Sequence, residues 1–366
     1  MQQETDGALR YSMLVTIRQY AHDRLNEANE IESMFNRHLA YFLKLAEETE
    51  PKLHGPTQAE SLERMETEQD NFRAALRWGL DHDQETGVLL TGALWLFWFM
   101  HSHFIESKQW FEEALAVSHE TSKFAQMRLH IGVASNAMGR NDKSLVQSSS
   151  EQSLALAHEL NNTWGISISI HHLGPIWAAQ GDPAQAQILL EEGLQVSRAA
   201  GHWAVLLYTL DDIGLLALDQ KNYHQAEQYF NEMRDLSQQH EEKWIYGHAI
   251  SCLSELARSQ KKYDKAIELI RESLRFAIET GNTRLIAVNL HYSGTAFNGL
   301  NKQDNAVRLY GAANKLAKSI DLIFNSMEEE STTFHPPLSK DKFASLYAEG
   351  ESLSVEQAIA LAMNDE

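Results

Sequence analysis

The side chains that could support metal binding or acid–base catalysis in this chain are its histidines and its single cysteine. Seventeen histidines occur, among them His101 and His103, which lie two positions apart, and the adjacent His171 and His172; the cysteine is Cys252. Both kinds of site need side chains that converge on one point. Adjacent residues of a helix point about 100° apart, so His171 and His172 are poor joint ligands. Because no His-Glu-x-x-His or paired-cysteine motif supports a zinc site, we predict no metal and no cofactor.

Carboxylate and nucleophilic catalysis have equally little support in the sequence. The acidic runs Asp211-Asp212 and Glu328-Glu329-Glu330 could suggest paired carboxylates, but an exposed charged surface explains the second run more simply. No Gly-x-Ser-x-Gly turn occurs, and the residues around Cys252 match no nucleophile signature. We therefore predict that the protein is not an enzyme, and a histidine-based enzyme ranks a distant third among the functions considered.

Composition and charge limit the partners and the compartment. The chain has 366 residues and a formal charge of −20, and such an acidic surface repels phosphate backbones. We therefore expect no direct nucleic-acid binding. No segment approaches the ~18 consecutive apolar residues of a membrane span, and the polar N-terminus does not have the pattern of a signal peptide. A lone cysteine fits a reducing compartment, so we expect a cytoplasmic protein that does not contact a membrane.

The elements that would position these side chains recur at a step of about 40 residues. An apolar residue followed by a small one marks the first helix of each unit, and a small residue twelve positions later marks the second helix. The clearest of these structural positions are Gly174, Gly214 and Gly294 in the first helices and Ala186, Ala226, Ala266 and Ala306 in the second helices. Self-similarity at this period is typical of helical hairpins that bury their apolar faces against their neighbours. The predicted fold class is all-α, a right-handed superhelical solenoid of helix hairpins.

The turns between the paired helices carry matching signals. In Gly181-Asp182-Pro183 the glycine ends one helix, the aspartate caps the next and the proline occupies its first turn. We expect an N-terminal helical segment, six hairpins and an acidic helical C-terminal cap. Their boundaries are 1–83, 84–320 and 321–366, with N-terminal helices at about 14–25, 31–48 and 58–80.

A large side chain also recurs just before each first helix. These residues are Phe124, Trp164, Trp203 and Trp244, with Arg284 in the matching place of the last unit. They could form an aromatic platform for a ligand. We favour burial in the seam between stacked units, because large rings bury much area.

The pattern of Ile213-Gly214, Ala217, Asn222-Tyr223, Ala226 and Phe230 resembles the tetratricopeptide repeat. The 40-residue step exceeds the usual ~34 of that family, as in bacterial regulators related to the maltose-regulon activator. A second resemblance is to the C-terminal region of bacterial signal-transduction ATPases. It is carried by Arg10–Ala21, Asp70–Leu76, Trp110–Leu115, Arg308–Ala313 and Ala348–Ala358.

These resemblances imply a non-catalytic protein-interaction and sensing module, the repeat region of a larger regulator. ATP hydrolysis is not assigned to this chain, because it contains no Gly-x-x-x-x-Gly-Lys-Ser/Thr loop. A protein or peptide partner in the concave groove is expected. The alternative is a receptor whose small effector binds in a pocket inside the superhelix.

In solenoids of this kind the first helix of each hairpin lines the concave side. Carried onto this sequence, the groove residues are His171 and Pro175 in the third unit and Tyr208, Asp211 and Leu215 in the fourth. The fifth unit offers His248, Ser251, Glu255 and Arg258, and the sixth offers His291, Thr295 and Asn298. A deep pocket lined by His171, Tyr208, Asp211 and His248 would favour the small effector.

Overall fold

The computed structural model describes residues 2–5, 8–11, 14–101, 103–320, 322, 324, 334 and 338–364. The chain begins with two short antiparallel strands, β1 (Gln2–Thr5) and β2 (Ala8–Tyr11), in which Gln2 pairs with Tyr11. This hairpin was not predicted. The remaining regular elements of the described residues are helices, which confirms the all-α solenoid.

Four helices precede the repeats. They are α1 (Val15–Glu27), α2 (Ile31–Thr49), α3 (Gln58–Thr67) and α4 (Gln69–His82), with a 3-10 turn at Glu50–Leu53. The predicted single helix over 58–80 is wrong, since the chain breaks at Glu68 between α3 and α4. Leu39, Phe42 and Phe72 form a buried core between α2 and α4.

Six hairpins follow, each with an inner helix and an outer helix. The first inner helix is divided into α5 (Gln84–Ala93) and α6 (Trp95–Met100), and its outer helix is α7 (Phe104–Val117). The next inner helices are α8 (Lys123–Gly139), α10 (Thr163–Ala179), α12 (Trp203–Asp219), α14 (Lys243–Ser259) and α16 (Thr283–Gly299). Their outer helices are α9 (Lys143–Glu159), α11 (Pro183–Ala200), α13 (Tyr223–Gln239), α15 (Tyr263–Glu279) and α17 (Gln303–Ser319). The inner helices start 40 residues apart, in the predicted register.

The turns repeat at half of that period, because each one needs a left-handed residue. A positive φ recurs every 20 residues, at Asn141, Asn161, Gly181, Gly201, Lys221, Glu241, Lys261, Gly281 and Asn301. At the predicted turn Gly181 has a φ of 84°, and the Asp182 carboxylate accepts a 3.0 Å hydrogen bond from the Gln185 N–H. Asparagine and glycine tolerate this backbone region best, which explains why they are common in these turns.

The small residues of the repeat allow the paired helices to approach closely. Ala186, Ala226, Ala266 and Ala306 are all fully buried. At Gly214 a Cβ atom would lie 2.4 Å from the Phe230 ring, and at Gly174 it would lie 2.5 Å from Leu190. Each inner-helix glycine therefore receives the large side chain of its outer helix.

Two C-terminal helices close the array. They are α18 (Lys340–Ser352) and α19 (Val355–Met363), and both pack against α17. The acidic run at 328–330 lies outside the described residues. The boundaries at 83 and 320 stay predictions. None of the helices among the described residues combines the length and the apolar character that a membrane crossing requires.

Candidate functional site

The inner helices of the solenoid enclose a cavity of about 290 Å³, here called the inner cavity. Its apolar walls include Trp95, Leu96 and Phe99 of α6 and Leu285 and Val288 of α16. Its polar lining residues are Ser135, His171, His172, Tyr208, Asp211, His248, Asn282 and Arg284. The first and the sixth hairpins thus line one space, so the solenoid curves around it. Four predicted groove residues, His171, Tyr208, Asp211 and His248, meet here.

His171 and Asp212 form a buried pair between α10 and α12. The His171 Nδ1 lies 2.6 Å from an Asp212 carboxylate oxygen, and the ring stacks on Tyr208 at 5.1 Å between centroids. Burial alone would lower the pKa of His171, but the adjacent Asp212 raises it above its usual value. Burial raises the pKa of Asp212, and His171 offsets this only in part. Tyr208 stays a neutral hydroxyl because burial raises its pKa.

One turn farther along the wall, Asp211, His248 and Cys252 form a second polar cluster. The His248 Nε2 lies 3.0 Å from one Asp211 oxygen, and the Cys252 Sγ lies 3.3 Å from the other and 3.8 Å from the same Nε2. Burial opposes a charge on His248, yet Cys252 and Asp211 raise its pKa well above the usual value. Burial raises the pKa of the Cys252 thiol to about 12. The thiol therefore keeps its proton at neutral pH.

His172 supports the site from behind. It is 2% exposed, and its Nε2 lies 3.0 Å from the Ser135 hydroxyl. Burial, followed by the charge of His171, lowers the pKa of His172 well below its usual value. His172 is therefore a neutral, fixed ring next to a charged one.

A second cavity of about 380 Å³, here called the side cavity, adjoins the inner one. The two share Trp95, Leu96 and Tyr208 as lining residues. Trp164 and Trp203 also line the side cavity, and Trp244 lines the inner one. The rings that the sequence assigned to the seam between units therefore form cavity walls, and only Phe124 is exposed.

The chain that joins α2 to α3 forms the rim of the side cavity. Glu50 accepts a 2.7 Å hydrogen bond from the Trp95 indole and a 2.5 Å bond from Arg128, whose guanidinium lies 4.8 Å from the Trp164 ring centroid. His54 also lines this cavity, and its ring lies 5.9 Å from that of Trp203. The N-terminal segment is thus part of the site.

Arg284 gives the inner cavity a cation with no acidic partner. No carboxylate of the residues with described side chains lies within ion-pair distance of it, in contrast to Arg128. Its side chain is exposed at the rim of the cavity, and the surrounding protein desolvates the guanidinium and lowers its pKa. An anionic group in the cavity would find its counter-ion here.

The other predicted groove residues do not line the inner cavity. Pro175 and Leu215 are exposed on α10 and α12, and α10 continues through Pro175. Ser251 is buried, and it donates a 2.9 Å hydrogen bond to Asn289 of α16. Its side chain thus holds two inner helices together.

The remaining four groove residues cluster farther along the solenoid. Glu255 and Arg258 form an ion pair on α14, and Arg258 lies over the Tyr292 ring. On α16, His291 stacks on Phe324 at 4.5 Å, and Thr295 accepts a hydrogen bond from Tyr310. Asn298 is partly buried near the end of the same helix. These polar groups satisfy one another.

Sequence reasoning missed Arg284 as a site residue, and it missed Cys252 and Glu242. The i, i+4 spacing of His248 and Cys252 on one helix was a readable signal, because it places both on one face. Glu242 occupies the cap position that Asn162 and Asn282 occupy in other units, yet it makes no side-chain bond to its own helix. A carboxylate at a cap position is not unusual, so its long-range contact could not be read from sequence.

No family model matches the sequence. Relatives in Mycobacterium bovis and Mycobacterium tuberculosis, which carry the provisional name HTH-type transcriptional regulator, are 26% identical over 245 residues. The match covers 66% of this chain and 23% of each relative. The chain thus spans about a quarter of the length of these curated relatives.

Solved structures share the fold. A Rap protein in complex with competence and sporulation factor matches 90% of this chain and 99% of its own, with a TM-score of 0.57 and 14% identity. Apo RapI matches 75% of this chain and 98% of its own, with a TM-score of 0.54 and 13% identity. A signal-transduction ATPase with a tetratricopeptide repeat sensor, from Pyrococcus horikoshii, matches 87% of this chain and 54% of its own, with a TM-score of 0.52 and 13% identity. These likenesses establish the tetratricopeptide-type solenoid.

Proposed function

We propose that this chain is a non-catalytic sensing module that binds a short peptide in the inner and side cavities of its solenoid. The single observation that carries the proposal is the convergence of four groove residues, His171, Tyr208, Asp211 and His248, on one cavity. Concave, mostly apolar sites with a few convergent polar groups are the usual form of ligand pockets. Aromatic walls give binding area, and the polar groups select the ligand.

The shape of the space favours an extended ligand. The two cavities adjoin at Trp95, Leu96 and Tyr208, so a chain of a few residues could cross from one to the other. The Rap protein of the same fold was solved with competence and sporulation factor, which supports binding on this kind of scaffold. Arg284 favours a ligand with a carboxylate, such as an acidic side chain or the C-terminus of a peptide.

A small effector confined to the inner cavity is the second candidate. At about 290 Å³ this cavity lies near the lower end of ordinary small-molecule pockets, which begin at roughly 300 Å³. Its convergent polar residues favour this alternative more than a long open groove would.

Catalysis has little support from the same geometry. A thiol nucleophile needs a base that removes its proton, but the Cys252 thiol has a pKa of about 12. The His248 Nε2 that faces this thiol also faces Asp211, so the same nitrogen would have to serve both partners. We therefore assign a binding role to the cluster.

In a larger regulator, ligand binding would bias a neighbouring domain. A ligand shifts such an equilibrium only by its difference in affinity for the two states. The N-terminal segment provides a possible link, because Glu50 and His54 line the side cavity directly. The names of the mycobacterial relatives make transcriptional regulation the proposed output, and the cytoplasm the proposed location.

The test is a thermal-shift screen of the purified chain against short synthetic peptides and against small carboxylic acids. Val288→Trp fills the inner cavity and should abolish the stabilisation that a hit gives. Ile188→Trp, on the outer helix α11 where this residue is 61% exposed, is the matched control and should respond like the parent. Hits that stabilise both variants equally would reject the cavity as the site. Hits among the small acids alone would favour the second candidate.

A further inference from the structure

Asp211, His248 and Cys252 bring three different metal-binding side chains together in the wall of the inner cavity. Asp211 comes from α12, and His248 and Cys252 lie one turn apart on α14. Their ligand atoms lie 3.0, 3.3 and 3.8 Å from one another. We propose that these three residues form a binding site for a zinc-type divalent cation.

The geometry fits a tetrahedral ion. Zinc binds sulfur at about 2.3 Å and nitrogen or oxygen at about 2.0–2.2 Å, so neighbouring ligand atoms lie about 3.4–3.6 Å apart around it. The three observed separations bracket that range, and small side-chain shifts would bring them into it. One thiol, one imidazole and one carboxylate also suit a borderline-soft ion better than magnesium or calcium, which prefer oxygen ligands alone.

The burial of the three side chains supports an open site rather than a closed structural one. Cys252 is 5% exposed, whereas the His248 side chain is 37% exposed and lines the cavity together with Asp211. A fourth position of the ion would therefore face the cavity, where water or a ligand group could complete the shell. Binding releases the Sγ proton and the proton that His248 Nε2 shares with Asp211 to solvent.

A second group of possible ligands provides an internal control. Glu66, His101 and His103 lie at the surface, and the Glu66 carboxylate lies 3.5 Å from the His101 ring and 3.1 Å from the His103 ring. This group contains no sulfur. A thiolate signature therefore separates the cavity site from surface binding.

The test uses Co²⁺, then Zn²⁺, on the full chain after treatment with a chelator. One Co²⁺ per chain should give tetrahedral d–d absorption and a thiolate-to-cobalt charge-transfer band, and Zn²⁺ should displace both. Cys252→Ser should lose the charge-transfer band and weaken Zn²⁺ binding at least ~10–100-fold, whereas His103→Gln should keep both. Absence of the band in the parent chain would overturn the proposal, as would equal binding by the parent and Cys252→Ser. No organic ligand is needed, so this outcome is independent of the peptide-binding function.

Discussion

The Glu242 carboxylate accepts a 2.5 Å hydrogen bond from the backbone N–H of Gly55, which lies 187 residues earlier in the chain. Its other oxygen accepts a 3.1 Å bond from the Gln58 side chain, and the His54 ring lies 3.6 Å away. Glu242 is 1% exposed, so these donors are its compensation for burial. The contact fastens the α2–α3 connection to the fourth and fifth hairpins, and it fixes the rim of the side cavity.

Glu242→Gln should weaken this attachment. The amide loses the negative charge and turns a donor towards the Gln58 amide, so we expect a loss of roughly 1–3 kcal/mol in the free energy of unfolding. Faster hydrogen exchange at the Gly55 amide should accompany the loss. Chemical denaturation measures the first effect and amide exchange the second. Glu241→Gln, at the exposed neighbouring position, removes the same charge and should change stability by less than ~0.5 kcal/mol. Equal behaviour of the two variants would show that the contact does not form.

Gly214 and Phe230 should show energetic coupling. Gly214→Ser places a Cβ 2.4 Å from the ring and should cost about 1–3 kcal/mol by overpacking. Phe230→Ile should relieve that clash, because the next repeat carries Ser254 and Ile270 at the same two positions. The double variant should therefore cost less than the sum of the two single variants, by about 0.5–3 kcal/mol. Additive losses in urea unfolding would contradict the register of the repeats.

His171 should make stability depend on pH above its ordinary pKa of 6.5. Asp212 and Asp211 on α12 face this ring, with Tyr208 stacked on it and the neutral His172 beside it. Because the folded-state pKa is raised, the stabilisation is fully present below pH 6.5 and is lost as the pH rises through the folded value. The raised pKa of Asp212 acts in the same direction, but at lower pH, above its ordinary 3.8.

Thermal melts of metal-free protein, taken from pH 6.5 upward, should thus show a falling midpoint. His171→Gln should reduce this dependence without abolishing it, since the pKa of His248 is also raised. The same substitution at exposed His119 is the control and should leave the slope unchanged. A slope that His171→Gln does not alter would mean that the His171–Asp212 pair carries no charge.

Arg284 should contribute to ligand affinity. Arg284→Gln should weaken binding of a carboxylate-containing hit about tenfold, which corresponds to ~1.4 kcal/mol. Arg284→Lys should restore part of the loss, because the charge returns without the planar fork. Isothermal titration calorimetry provides the measurement, and the amidated form of the same hit is the control. An identical loss for the acid and the amide would show that Arg284 does not bind the carboxylate.

The repeat architecture could be predicted because it depends on local signals. Ala186 and Ala226 mark the close helix contacts, and Gly181-Asp182-Pro183 specifies its turn without reference to the rest of the chain. The single helix predicted over 58–80 failed because the sequence around Glu68 has no proline or glycine to mark the break. The strands at Gln2–Thr5 and Ala8–Tyr11 were missed because they are short and polar.

The candidate site could be predicted only in part. Tyr208 and Asp211 follow from the repeat register, since each faces inward on its own helix. Arg284 and Trp95 meet across the cavity because of the curvature of the whole solenoid, which adds small rotations over five hairpins. Glu242 reaches Gly55 for the same reason. Such contacts depend on global shape and leave no local pattern in the sequence.

The most direct measurement is a crystal structure of the chain with the strongest hit of the ligand screen. The account predicts ligand density in the inner cavity, in contact with Tyr208 and Trp244, and a ligand carboxylate at Arg284. A peptide hit should extend past Leu96 into the side cavity. Density on the outer helices, or an empty inner cavity in a saturated complex, would contradict the assignment of this solenoid as a sensor that binds its ligand inside.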